Sequence, residues 1–387
     1  MAREVAIVGV ADAPLQQGVL RDGGTVLQAQ ARAAKAALDE AGLNMAEVDG
    51  LLTAGAWGIP GPGNLMTITL GEYLGIRPRF MDGTNIGGSA FEAHLAHAAM
   101  AIEKGYCEVA LITYGSTQRS DHSRTLGGRT PMLNMQYETP YGMLTPIGGY
   151  AMAAMRHMHD YGTRPEHLAQ IAVSTREWAC LNPAAYHQEP LTIDDVLASP
   201  MVSDPLHRLD SCLITDGAGA VVVTSAERAR SLKTRPVYVR GYGESHTHWT
   251  ISQMPDLTLT TAADTGPRAM AMAGIRHDDI DVAEIYDSFT ITVLLTLEAL
   301  GFCKRGEGGA FVSDGRLGPG GALPTNTNGG GLSYAHPGMY GLLLLVEAVR
   351  QLRGECGPRQ VADARIALVN GTGGTLSSTA TCILSRD

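Results

Sequence analysis

Four segments hold the residues of this 387-residue chain whose types and spacing can do chemistry. The first, Asn85-Ile-Gly-Gly-Ser-Ala-Phe-Glu-Ala-His94, passes from the end of a strand directly into a helix. A helix start presents N–H groups without intrahelical acceptors and a favourable dipole, so it can hold an oxyanion or activate a nucleophile placed there. Two further glycine-rich turns are Asn328-Gly-Gly-Gly-Leu-Ser-Tyr-Ala-His336-Pro-Gly and Asn370-Gly-Thr-Gly-Gly-Thr375, and a strand ends in the polar-aromatic run Ala283-Glu-Ile-Tyr-Asp-Ser-Phe-Thr290. None of the three turns has GxGxxG or GxxxxGK[ST] spacing and none contains lysine, which excludes both common nucleotide loops. Ser89 lacks a Gly-x-Ser-x-Gly elbow and reads as a helix-start cap. Asp287 reads as a hydrogen-bond partner of its turn. His157, His159 and Asp160 lie on an expected helix 150–161, where i and i+2 face different ways, so they do not make a metal site.

The elements that must position these segments come in alternation. Short apolar runs such as Val5-Ala-Ile-Val-Gly-Val10 and Val109-Ala-Leu-Ile-Thr113 read as strands, and Val26 to Ala41 and Phe91 to Gly105 as helices, which implies an α/β architecture. The chain also repeats itself. Ala41-Gly-Leu-Asn-Met-Ala-Glu-Val-Asp49 and Ala273-Gly-Ile-Arg-His-Asp-Asp-Ile-Asp281 each end a helix with glycine and lead into a strand through aspartate. Upstream, Glu4-Val-Ala-Ile-Val-Gly9 and Pro236-Val-Tyr-Val-Arg-Gly241 fit the same duplication. The expected halves are 1–228 and 229–387, divided in the polar stretch 226–234. The first half carries an inserted excursion, about 116–203, rich in Met, His, Tyr and Pro, and such an insertion in a compact domain covers a site or an interface.

Composition narrows the function classes. Lysine and arginine total 29 against 39 acidic residues, a formal charge of −10 with no long basic block, so nucleic acid is not an expected partner. Six scattered cysteines, Cys107, Cys180, Cys212, Cys303, Cys356 and Cys382, show no CxxC and no ligand cluster, which argues against a disulfide framework or a zinc site and for reduced, mostly buried thiols in the cytoplasm. The run from Val5 to Ala11 reads as a strand rather than a signal segment. Leu342 to Val346 is closed by Glu347 and is far short of the ~20 residues of a membrane span.

Taken together, the duplicated halves, the turn at 85–90, Tyr286-Asp-Ser-Phe-Thr290, the stretch 329–338 and the C-terminal Gly-Thr-Gly-Gly resemble the thiolase superfamily. The likeness is greater to its sterol-carrier or lipid-transfer branch, and it covers essentially the whole chain. Asp204-Pro-Leu206 before Asp210, Thr215-Asp-Gly-Ala-Gly-Ala220, Glu298-Ala-Leu-Gly-Phe-Cys303 with Gly306-Glu-Gly-Gly309, and Gln351-Leu-Arg-Gly354 extend it. The resemblance implies a thiolase-like fold, two βαβαβ halves in an αβαβα layered arrangement. The departures are as informative. The family's nucleophilic cysteine falls on Gly87, followed by Gly88, Ser89 and Ala90, and glycine has no side chain to acylate. Its second, acid/base cysteine falls on Asn370, the Asn of its Asn-Glu-x-Phe segment on Tyr286, and its Gly-His-Pro histidine is kept as His336.

That pattern resembles the steroid side-chain aldolases, thiolase-like proteins that split a β-hydroxyacyl-CoA into a ketone and a shorter acyl-CoA. It implies a retro-aldol carbon–carbon lyase in which backbone N–H groups at Gly87, Gly88, Gly373 and Gly374, with His336, stabilise a thioester enolate, and two tyrosines exchange protons. Tyr286 is the expected acid and Tyr334 the expected base, with Tyr340 competing for the second role. Arg119, Arg124 and Arg129 of the excursion meet the phosphates of coenzyme A or stay solvated. Met132, Met135, Tyr137, Tyr141 and Met143 line an apolar acyl pocket. The resemblance further implies a homodimer, an OB-fold and zinc-ribbon partner completing a heterotetramer, no cofactor of the chain's own beyond coenzyme A as part of the substrate, and zinc only in the partner. Two other readings stay open: an acyltransferase with an unrecognised nucleophile, and a non-catalytic lipid-binding or scaffold subunit.

Overall fold

The apolar runs become strands, and the strands follow a pattern that the chain executes twice. The computed structural model describes residues 4–124, 136–143 and 145–387. The first half contains β1 (Val5–Asp12), α1 (Val26–Ala41), β2 (Gly50–Leu52), β3 (Phe80–Asp82), α2 (Ala90–Glu103), β4 (Val109–Ser116), the excursion helices α3 (Ile147–Tyr161) and α4 (Pro165–Cys180), and β5 (Gly217–Ser225). After a short helix, Ala226–Ala229, follow β6 (Val237–His246), α5 (Ala262–Ala273), β7 (Val282–Ile285), α6 (Thr290–Leu300), α7 (Gly341–Arg353), β8 (Ile366–Gly373) and β9 (Ser378–Ser385).

In the first half β1 is antiparallel to β5, β5 to β4, and β4 is parallel to β2. The second half repeats this with β6, β9, β8 and β7 in the same relations. Ala6 and Ile7 pair with Tyr238 and Val237, which joins the halves into one sheet of order β7-β8-β9-β6-β1-β5-β4-β2-β3.

The repetition extends to single residues. Register breaks between Ile7 and Gly9 in β1 and between Val239 and Gly241 in β6. A Cβ on Gly9 would lie 2.0 Å from the carbonyl oxygen of Ala37 in α1, and one on Gly241 would lie 2.1 Å from that of Ala269 in α5. Only glycine lets these helices lie directly on their strands. Gly42 and Gly274 close α1 and α5 at φ 78 and 69. Asp49 Oδ1 then accepts the N–H groups of Glu108 and Val109 at the start of β4, and Asp281 Oδ2 those of Arg365 and Ile366 at the start of β8.

Packing sorts the helices into layers. The alanine-rich face of α1 covers one side of the first-half strands. The side chains of α2 and α7 fill the space between the two half-sheets. Helices α5, α6, α3 and α4 cover the outer face of the second half. The order is α, β, α, β, α. This explains the run Leu342 to Val346, buried on every side because α7 sits in the middle layer. Among the described residues no helix is long and apolar enough to cross a membrane.

The excursion is mainly helical. Ile147, Tyr150, Leu168 and Ile171 pack with Phe289 and Leu294 of the second half. His157 is a core clamp, with Nε2 3.0 Å from Glu298 Oε2 of α6 and Nδ1 2.8 Å from Thr163 Oγ1.

Because Gly9 and Gly241 meet helix backbone rather than a movable side chain, Gly9→Ala and Gly241→Ala are each expected to cost about 1–3 kcal/mol or more in urea unfolding. Unchanged midpoints for both variants would contradict the close-approach account.

Candidate active site

The site begins at the turn into α2. Gly87 has φ +76, the left-handed region, and a Cβ there would lie 2.6 Å from the nitrogen of Gly374, so the first and third glycine-rich turns touch. Gly88 supports a different contact. A Cβ on it would fall 2.2 Å from Cε2 of Tyr286, whose ring rests on bare backbone. Ser89 hydrogen-bonds Ile86 O at 3.2 Å and Ser378 Oγ at 2.9 Å, pinning the turn to β9.

Tyr286 follows β7 and extends its ladder by donating its N–H to Asn370 O at 2.9 Å. Asp287 then organises the second glycine-rich turn, accepting from Gly331 N at 2.6 Å and Leu332 N at 3.1 Å. Burial pushes its carboxyl up to about 7, against the pull of these bonds. Gly330 is needed for that approach, since a Cβ there would lie 2.0 Å from Asp287 Oδ2. His336 follows, its N–H donated to Thr215 Oγ1 at 3.0 Å and its carbonyl held by Gln118 Nε2 at 2.8 Å.

These segments bring the Tyr286 hydroxyl to 3.0 Å from His336 Nε2, with the rings edge-on at 88°. The same hydroxyl accepts the Tyr340 N–H at 3.1 Å. Burial, followed by the nearby Arg124, lowers His336 to about 3. Burial, followed by Cys212, raises the Tyr286 phenol well above its ordinary 10. The pair rests as a neutral phenol and a neutral imidazole, and His336 Nδ1 is buried without a partner. His336 and Tyr286 line a cavity of about 310 Å³ together with Asn85, Gly87, Gly88, Thr372 and Gly374. A second chamber of about 340 Å³ adjoins it and shares Trp57, Arg124, Pro146, Cys212 and Phe289.

Tyr286, His336, Gly87, Gly88 and Gly374 therefore meet in one place. Gly373 does not line the cavity; it is packed under the first turn, where a Cβ would overlap Ile86 O at 1.7 Å. Tyr334 lies elsewhere. The turn at 330–334 is widened, with Ser333 and Tyr334 N–H groups both on Gly329 O, and Ala335 leaves it in extended conformation. Tyr334 thereby points away from His336, and its hydroxyl donates to Asp12, which also pairs with Arg350 of α7 at 2.6 Å. Tyr340 donates its hydroxyl to Asn328 Oδ1 at 2.7 Å, so it serves the site with its backbone N–H and with its ring, edge-on to Tyr286 and nearly parallel to His336.

Asn370 is also withdrawn, its amide on Thr381 Oγ1 at 2.7 Å. Thr372, two residues on, lines the cavity with a buried hydroxyl that has no partner. Tyr137, Tyr141 and Met143 line a separate depression with Met152. Met132, Met135 and Arg129 lie outside the described residues.

Cys212 and Tyr150 reach the cavity with no local motif to announce them. Tyr150 donates its hydroxyl to Gly374 O at 3.1 Å. Burial pushes the Cys212 thiol up to about 12, so it stays protonated and is a poor nucleophile. Behind the first turn lies Glu92, fully buried, both carboxyl oxygens without partners, in space that Gly341 and Gly371 leave open. Burial raises it to about 8.

Comparison with known proteins gives the following likenesses. Residues 243–386 match the family model of the thiolase C-terminal domain-like proteins. The chain is 35% identical over 384 residues to a steroid side-chain-cleaving aldolase of Thermomonospora curvata, covering 94% of each chain. It is 34% identical to a 17-hydroxy-3-oxo-4-pregnene-20-carboxyl-CoA lyase of Mycobacterium tuberculosis, covering 96% of this chain and 97% of the other. It is 32% identical to an acetyl-CoA acetyltransferase of Methanothermobacter thermautotrophicus, covering 99% and 100%. Among solved structures, an Ltp2-ChsH2(DUF35) aldolase superposes with a TM-score of 0.88 at 33% identity, over 99% of this chain and 97% of that one.

The Glu92 environment predicts a pH signature. Unfolded, the carboxyl ionises near its ordinary 4.5, whereas folded it keeps its proton to about 8, so between these values the folded state binds more protons and stability falls as pH rises. Glu92→Gln should remove that loss, gaining on the order of a few kcal/mol over wild type between pH 5 and pH 8 in urea unfolding. Identical pH dependence for the two proteins would contradict a buried, protonated Glu92.

Proposed function

The chain belongs to the thiolase superfamily, alongside its steroid side-chain-cleaving aldolases, and from that premise we propose how this carbon–carbon lyase of acyl-CoA thioesters works. The substrate is a β-hydroxyacyl-CoA with a bulky, steroid-like acyl group, cleaved to a ketone and a shortened acyl-CoA. The observation that carries the reading is the Tyr286–His336 hydrogen bond, set on Gly88 next to Gly87, the position matched to the family's nucleophilic cysteine.

A retro-aldol cleavage needs one site that accepts the β-hydroxyl proton and one that delivers a proton to the α-carbon. The neutral pair supplies both. His336 takes the hydroxyl proton, the carbon–carbon bond breaks to leave a ketone and a thioester enolate, and Tyr286 protonates the α-carbon. The protonated His336 then returns its Nε2 proton to Tyr286 across their hydrogen bond, and exchange of the Nδ1 proton for one on Nε2 through water restores the starting tautomer, so the net movement is one proton from oxygen to carbon. Enolate charge is met by N–H groups of the α2 turn and of Gly374. No acyl-enzyme is required. That separates this chain from thiol-based acyl transfer, for which the one thiol lining the cavity among the described residues, Cys212, stays protonated.

Both chambers fall in the range of about 300–1,000 Å³ that holds drug-sized ligands, and the larger has the aliphatic and aromatic walls a fused-ring acyl group needs. The assembly we infer is a homodimer joined through the first-half sheet, where β3 is the edge strand among the described residues and carries the exposed Met81. To it is added a DUF35-type partner of the kind named in the superposed aldolase, for which we infer an OB-fold and a zinc ribbon that carries the zinc. The chain itself needs no cofactor beyond the coenzyme A of its substrate, and its compartment is the cytoplasm.

With the partner present, a 17-hydroxy steroid 20-carboxyl-CoA should yield the ketone and the shortened acyl-CoA by mass spectrometry. Tyr286→Phe should lower kcat by about 10²–10⁴-fold. Tyr334→Phe, outside the cavity, should change it by less than about threefold at temperatures where the protein is folded. Full activity of Tyr286→Phe would refute the assignment.

A further inference from the structure

The second chamber carries a charge that its apolar walls do not explain. Ile147, Val202, Leu213, Ile214, Phe289 and Leu332 form much of its surface, yet Arg119, Arg124 and Arg208 line it too. Among the described residues no aspartate or glutamate lines the chamber. Among the described residues none of the three arginines has an ion-pair partner, and the segment 125–135 contains no acidic residue. Neutral groups hold the half-buried Arg119 and Arg124 instead, while Arg208 stands exposed at the chamber's rim. Arg119 donates to Ile214 O at 3.0 Å and Tyr186 Oη at 3.1 Å and lies over the Tyr186 ring at 5.0 Å. Arg124 donates to Gln118 Oε1 at 3.3 Å and lies over Trp57 at 5.2 Å. These contacts fix direction without cancelling charge. The field is felt at His187 in the same wall, which burial, followed by Arg176, Arg208 and Arg119, lowers to about 4.

A half-buried guanidinium beside apolar surface with no counter-charge, as at Arg119 and Arg124, is costly unless an anion completes it, and the guanidinium fork suits a carboxylate that the exposed Arg208 can also meet. We propose that this chamber is the subsite for an acyl group bearing its own carboxylate, so that the substrate is the monothioester of a dicarboxylic acid, its apolar body against Ile147, Phe289 and Leu332 and its free carboxylate on Arg119 and Arg208. The phosphates of coenzyme A are the other source of such an anion. They lie a whole pantetheine arm from the thioester, whereas Arg124 lines both this chamber and the one containing Tyr286 and His336. The proposal rests on the lyase reading only for which end of the substrate reacts.

Binding to the intact protein tests it without cleavage. The probes are sebacoyl-CoA, the ten-carbon dicarboxylic monothioester, decanoyl-CoA, of equal chain length without the carboxylate, and free coenzyme A, by isothermal titration. Wild type should bind sebacoyl-CoA at least tenfold more tightly than decanoyl-CoA. Arg119→Met/Arg208→Met, or Arg208→Gln alone should the double variant not fold, should reduce that preference at least threefold while free coenzyme A binds within twofold of wild type. Equal affinity of wild type for the two thioesters would overturn the proposal, as would loss of free coenzyme A binding in the variants, which would give the arginines to the coenzyme phosphates. Neither readout depends on catalysis, so absence of lyase activity with an intact sebacoyl preference would count against the lyase reading alone.

Discussion

The ring of Tyr286 lies on the bare backbone of Gly88, and the proposed mechanism depends on that contact. Any side chain at residue 88 would occupy the place of the ring, while Gly87 is wedged against Gly374 with no room for a Cβ. The turn that could have presented a nucleophile therefore presents a surface for an aromatic hydroxyl. Once there, the hydroxyl is held from two sides, by His336 Nε2 and by the Tyr340 N–H, in surroundings that keep both side chains uncharged. A neutral donor and a neutral acceptor sharing a hydrogen bond can move a proton out and take one in without burying net charge.

The duplicated fold puts this contact where two halves meet. The first half supplies the α2 turn; the second supplies Tyr286, the turn held by Asp287, and the β8 end. Helices α2 and α7 lie side by side in the middle layer, so the starts of both abut the site. The half-buried Asp12–Arg350 pair, with Tyr334 on the same carboxylate, ties the end of β1 to α7. Tyr334 contributes to how the halves are joined rather than to the cavity.

What could be read from the sequence was what is local along the chain. Gly42 and Gly274 end their helices, Asp49 and Asp281 cap neighbouring strands, and Tyr286 and His336 sit at the end of a strand and in a turn whose glycines mark close approach. What could not be read depends on one extra residue in a turn or on distant packing. The widened turn at 330–334 sends Tyr334 to the opposite side from His336, although two positions separate them. Asn370 and Thr372 differ only in depth along β8, and that depth decides which reaches the cavity. Cys212 and Tyr150 arrive through the packing of the excursion and of the segment before β5, which no spacing within either segment announces.

The central claim is that cleavage proceeds by proton exchange through Tyr286 and His336 with no covalent bond to the protein. Intact-protein mass spectrometry during turnover of a tertiary β-hydroxyacyl-CoA in D₂O, with the acyl product analysed alongside, tests it most directly. The account predicts an unmodified protein mass throughout, no requirement for free coenzyme A, and one deuterium at the α-carbon of the shortened acyl-CoA. An acyl adduct on the protein that forms and decays at the turnover rate would contradict it.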